Sequence, residues 1–125
     1  VAASSKDRRE RRKNQRFQVP KGAFVGLGPY FEKVGPIMDV SKRGLGFRYI
    51  GSAESNGSYL DMFLTDKDFF LREVRFKPIW DSKIVNEKPS GSVTMRRQGV
   101  QFKKLTHYQR SQLEYFLQNH TMGEA

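Results

Sequence analysis

A chain of 125 residues with 37% hydrophobic and 13% aromatic residues has room for one domain with a modest core. Its 23 Lys and Arg against 13 Asp and Glu leave a formal charge of +10, which points to a polyanionic partner such as a nucleotide, a nucleic acid or a lipid headgroup. Cysteine is absent, which excludes disulfides, thiolate metal sites and cysteine nucleophiles together, and no apolar run approaches the length of a membrane span.

Half of the net charge sits in residues 1–16, where Lys6, Arg8, Arg9, Arg11, Arg12, Lys13 and Arg16 face only Asp7 and Glu10. The run has no apolar stripe, so nothing in it builds a core, and it is expected as a mobile basic arm that Ser4 or Ser5 can cap in transient helical form. A basic, polar start without an apolar segment behind it is not a signal peptide, and a cytosolic domain is the default.

Phe17-Gln18-Val19 alternates apolar and polar before Pro20, which suits a short edge strand where the arm joins the body. Gly22 to Pro29 reads as turn-rich, and Tyr30 to Val40 as an extended segment broken at Gly35-Pro36. After a turn around Asp39 to Gly46, Leu45, Phe47 and Tyr49 alternate with Gly46, Arg48 and Ile50, the period of a strand with one buried face. Gly51 to Ser58 is a loop, Tyr59 to Leu64 a strand, Asp66 and Asp68 mark a turn, and Phe69 to Trp80 is a long β-rich run. Asn86 to Gly91 breaks the chain again. Val93, Met95 and Val100, Phe102 flank Arg97-Gln98-Gly99 in the pattern of a hairpin with a short glycine-containing loop. Thr106 and Gln109 have capping-box spacing, and Leu113, Phe116 and Leu117 share one face of a terminal helix. Six to seven short strands followed by one amphipathic helix predict an all-β fold, a small antiparallel barrel with a helix packed on it, whose closure removes most sheet edges. Trp80, Tyr30 and the many phenylalanines are assigned to its core.

The stretch Asp39-Val40-Ser41-Lys42-Arg43-Gly44-Leu45-Gly46 sets a carboxylate, a hydroxyl and glycines between two apolar segments. Taken alone it is an ordinary tight turn. Upstream, Arg12-Lys13-Asn14-Gln15-Arg16 places two arginines four residues apart, the second abutting the first strand. Arginine is a planar fork that bonds guanine O6 and N7, clamps a phosphate or stacks on a base, and a carboxylate complements the N1–H and N2–H edge of guanine.

The pair of motifs resembles the ligand signature of the PilZ domain, the bacterial receptor for cyclic di-GMP: RxxxR followed by D/NxSxxG, here Arg12-x-x-x-Arg16 and Asp39-x-Ser41-x-x-Gly44. The segment Arg97 to Leu105 with the helix after it is similar to that family's closing strand and C-terminal helix, so the likeness covers roughly residues 11 to 118. It implies a flexible segment over residues 1–10, a PilZ-like barrel over 11–120 that includes the arginine arm and the helix, and a tail over 121–125. It makes Arg12 and Arg16 the guanine and phosphate ligands, sets Asp39 and Ser41 on the base edge, and gives Gly44 the task of keeping the turn open. Arg11 is a further arginine that can stack on a second nucleotide. The resemblance implies a second-messenger switch, with cyclic di-GMP ordering the arm and acting on motility, exopolysaccharide or surface attachment through a protein target or a fused domain. The chain is expected as a monomer or homodimer, with no cofactor beyond that ligand.

An enzyme is not indicated. His107 and His120 are the only histidines, they stand at opposite ends of the helix, and a turn accounts for Asp66 and Asp68. Gly26-Leu27-Gly28 precedes Pro29 rather than a helix and is a turn, not a phosphate loop. Two other readings fit the composition: a small barrel that binds single-stranded nucleic acid through its basic arm and aromatics, and a protein-interaction module that uses the helix.

Overall fold

The structure is a computed structural model and describes residues 15–29, 31, 33–51, 57–84 and 94–124. Strands form where apolar residues recur at every second position. They are β1 (Phe17–Gln18), β2 (Ala23–Gly28), β3 (Lys33–Val40), β4 (Gly44–Ile50), β5 (Tyr59–Leu64), β6 (Phe70–Lys83) and β7 (Met95–Phe102), and helix α1 (His107–Asn119) follows. Neighbours run antiparallel in the order β3-β2-β5-β6-β7-β4, and β4 pairs back onto β3, which closes a barrel. The barrel has six strands, with β1 outside it on the edge of β3.

Two long strands turn the corners. The first half of β3, Lys33 to Pro36, pairs with β2, and the second half, from Ile37, pairs with β4. Gly35-Pro36, expected as a break, is therefore a corner within one continuous strand. A Cβ on Gly35 would lie 1.6 Å from the Arg48 carbonyl oxygen, so only glycine lets the two backbones cross there. In the same way β6 leaves β5 after Arg75 and joins β7 at Phe76.

Two further expectations are corrected. Gly22 to Pro29 is not a turn region but contains β2, paired on both sides. Its glycines lie under aromatic rings: a Cβ on Gly26 would meet Phe31 at 2.3 Å, and one on Gly28 would meet Tyr59 at 2.5 Å. Arg97-Gln98-Gly99 is not a hairpin loop. β7 runs through it, paired with β4 on one side and β6 on the other. Most of the loop expected over Gly51 to Ser58 and all of the break expected over Asn86 to Gly91 lie outside the described residues, as does Tyr30.

Inward residues of all six barrel strands, among them Val25, Ile37, Phe47, Leu60, Val74 and Val100, build one core. α1 adds Leu113, Phe116 and Leu117, and the Phe116 ring packs on Phe69 with centroids 5.1 Å apart. Thr106 and Gln109 form the expected capping box. Among the described residues no helix is long and apolar enough to cross a membrane.

One end of the barrel interior is polar. Buried Lys33 donates to Gln98 Oε1 at 3.0 Å and to Asp81 Oδ2 at 3.4 Å, and lies over the Tyr49 ring. Tyr49 donates its hydroxyl proton to Asp81, and Arg96 Nε donates to Asp81 Oδ1 at 2.6 Å. Burial, reinforced by the Asp81 bond and charge, pushes the Tyr49 phenol up to about 12. Burial alone would raise the Asp81 carboxyl, but the bonds from Tyr49 and Arg96 and the Lys33 charge outweigh it and hold it below its ordinary value.

Candidate functional site

Three residues, Ser41 to Arg43, join β3 to β4, and Gly44 opens β4. The Ser41 N–H donates to the Gly44 carbonyl at 2.8 Å, and Ser41 Oγ accepts from the N–H groups of Arg43 and Gly44, each at 3.2 Å. The Ser41 hydroxyl is thus engaged in the turn itself, and the residue is almost buried. Gly44 carries no positive φ. A Cβ there would lie 2.1 Å from the Val100 carbonyl oxygen, so its task is to admit β7.

Asp39 reaches the outer wall by a bulge. Ile37 pairs with Phe47, but Asp39 pairs with Gly46, so β3 spends one more residue than β4 over that interval. Ile37 and Val40 then both point into the core, and Asp39 between them faces out. Across β4 it meets Gly46, where even a methyl group would approach Asp39 Oδ1 at 3.4 Å. The carboxylate is 26% exposed, and among the described residues its only ionic contact is Arg16 Nη1 at 4.0 Å. That distance is loose enough for a ligand to displace. Arg16 is brought there by β1, whose Gln18 stands opposite Asp39.

The register carries the row onward. Asp39 faces Gly46, Gly46 faces Gly99 of β7, and Gly99 faces Trp80 of β6. Directly opposed residues share a face of the sheet, so the outer wall holds a carboxylate, two glycines and an indole in line. The ends are three interstrand steps apart, roughly 14 Å. The indole lies on Gly99, where a Cβ would be 2.3 Å from Nε1, and Trp80 remains 40% exposed. Its assignment to the core is therefore corrected, because the bulge between Pro78 and Trp80 sends Asp81 inward and Trp80 outward. One row along, Arg48 and Arg97 are exposed and directly opposed across β4 and β7. Like charges so placed repel, and an anion on the wall relieves them.

The structure sets Asp39 beside Arg16, with the Ser41–Gly44 turn next to them. Arg11 and Arg12 lie outside the described residues, so the arm is represented by Arg16. Sequence reasoning did not group Gly99, Trp80, Arg48 and Arg97 with Asp39. Their common feature is cross-strand register, and reading Arg97 to Gly99 as a loop hid it.

Among solved structures, the chain is similar to the PilZ domain of YcgR from Escherichia coli, with a TM-score of 0.65, 13% identity, 88% of this chain covered and 91% of that one. The fold is that of PilZ domains. A second match is MrkH, described as a c-di-GMP-dependent transcription regulatory factor, with a TM-score of 0.62, 14% identity, 86% of this chain covered and 50% of that one. No protein-family model and no curated protein matches the chain. Within the PilZ barrel the row from Asp39 to Trp80 offers what a planar, anionic heterocycle needs: an acceptor for N–H groups at one end, a π-face at the other, a floor without side chains and a rim of arginines.

Proposed function

We propose that this chain is a receptor domain for cyclic di-GMP that makes and breaks no bond. The observation that carries the reading is the loosely held Asp39 carboxylate beside Arg16, at the head of a glycine floor that ends on Trp80. The YcgR domain of the same fold was solved with c-di-GMP, and MrkH is described as dependent on it. In this reading Asp39 accepts the N1–H and N2–H groups of a guanine, and Arg16 with Arg12 holds the other guanine edge and the phosphates. Ser41 and Gly44 act by fixing the hairpin, and Arg11 stacks on a second nucleotide. The basic arm orders over the wall when ligand binds and passes the signal to a protein target or a fused domain.

The magnitudes suffice. Charge-assisted hydrogen bonds contribute about 1.5–3 kcal/mol each, and a base stacked on an aromatic ring about 1–3 kcal/mol. Less the cost of ordering the arm, a few such contacts reach micromolar affinity, roughly −8 kcal/mol.

Trp80 is the only tryptophan, so its emission reports on the site directly. Saturable quenching by micromolar cyclic di-GMP is expected, with little dependence on salt. Unchanged emission, or steeply salt-dependent binding of single-stranded oligonucleotides in its place, would exchange this reading for that of a nucleic-acid-binding barrel.

A further inference from the structure

Lys42 and Arg43, the tip of the Ser41–Gly44 hairpin, take no part in the row from Asp39 to Trp80. With Lys104 and Arg110 they ring a cavity of about 370 Å3 between the hairpin, the end of β7 and α1, over an apolar floor that includes Phe102 and Leu105. We infer that this cavity is a second ligand site, for a small aromatic phosphate whose ring lies on the Phe102–Leu105 floor and whose phosphate meets the four cations.

Three observations carry the inference. First, among the described residues none of these four cations forms an ion pair, although the Glu114 carboxylate shares the cavity. Four cations against one carboxylate gather a positive potential that no ion pair among the described residues neutralises. Second, Lys104 has φ 40°, in the left-handed region where Asn or Gly sits at lower cost. The chain holds a cation at a position where its backbone favours other residues. Third, the lining is both apolar and basic. A bare ion would leave the floor unused and a neutral ring would leave the charges unused, whereas Arg43 and Arg110 bring the planar forks that hold phosphate oxygens in pairs. The volume falls at the lower end of the ~300–1,000 Å3 of small-molecule sites, which suits a single fused ring with one phosphate. None of Asp39, Gly46, Gly99 and Trp80 lines the cavity, so the inference stands apart from the cyclic di-GMP reading.

The test is a titration of the whole chain with 1-naphthyl phosphate, followed by amide NMR. Saturable shifts are expected at Lys42, Arg43, Lys104 and Arg110. Inorganic phosphate should bind about tenfold more weakly, since it lacks the apolar body. The double variant Lys104→Asn/Arg110→Gln should weaken naphthyl phosphate about tenfold or more, Asn being chosen because it tolerates the left-handed φ. Glu114→Gln, an exposed position that leaves the fold undisturbed, should tighten it several-fold. Shifts centred on Asp39 and Trp80, equal binding of inorganic phosphate, absence of saturation, or indifference to Glu114→Gln would each overturn the inference.

Discussion

Asp39 owes its place to one extra residue in β3 and its availability to the absence of a tight partner among the described residues. A carboxylate on the outer wall of a sheet is ordinary; one set against two glycines in register, with an indole laid over the second, is a shaped surface. Gly99 is the residue on which that shape turns. A methyl group there cannot coexist with the indole at its present position, since the Cβ would lie 2.3 Å from Trp80 Nε1. Gly99→Ala is therefore expected to lift Trp80 off the wall and to weaken cyclic di-GMP about tenfold, the loss of one stacked base, while stability changes by no more than about 1 kcal/mol. Calorimetric titration and denaturant unfolding check the two halves, and native affinity in the variant would remove Trp80 from the site. The turn from Ser41 to Gly44 was legible because hairpin chemistry is local, although the Ser41 hydroxyl, expected on a base edge, is spent within it. Gly99 and Trp80 were not legible, because glycine in a sequence reads as a turn unless one knows which ring lies across the strand from it.

At the scale of elements, the two-residue strand β1 has more consequence than its length suggests. On one side it pairs with β3 at Val40 and Asp39. On the other it receives the end of the chain: the Gln18 N–H donates to the Gly123 carbonyl at 2.8 Å, and the Met122 N–H donates to the Gln18 carbonyl at 2.9 Å. The strand that carries Arg16 to Asp39 is thus held from behind by the segment that leaves α1. Deleting residues 122–125 should free Gln18 to exchange its amide proton faster and weaken cyclic di-GMP several-fold, with the barrel amides of β5 and β6 unaffected. Unchanged exchange at Gln18 would show that β3 alone positions β1. The helix could be read from the sequence nearly to the residue, because a capping box and a stripe at Leu113, Phe116 and Leu117 are determined within a few turns of chain. β2 and β7 could not, since their glycines answer to Phe31, Tyr59 and Trp80 from other strands. Nor could the corner at Gly35-Pro36, where the partner changes while the strand continues.

For the whole molecule, alternation and one helix stripe were enough to give an antiparallel barrel with a terminal helix, but they gave no hint that one end of its interior is polar. Lys33, Tyr49, Asp81, Arg96 and Gln98 come from four strands and meet only once the barrel has closed. That end sets the pH range of stability. The Asp81 carboxyl is held below its ordinary 3.8, so its contribution is present above about pH 4 and is lost as pH falls through the folded value. The Tyr49 phenol is raised from 10.0 to about 12, so its contribution is complete below pH 10 and is lost as pH rises through that interval. Asp81→Asn takes the carboxylate from buried Lys33 and should cost on the order of 3 kcal/mol at neutral pH, with the gap to the native protein narrowing in acid. Denaturant unfolding at pH 7 and pH 3 measures both. The central claim concerns the opposite, outer face of the same strands, and isothermal titration of cyclic di-GMP into the native chain, Asp39→Ala and Arg16→Ala tests it most directly. Micromolar binding by the native chain is expected, with a loss of about tenfold or more in each variant at unchanged thermal stability. No binding by the native chain, or native affinity in Asp39→Ala, would contradict it.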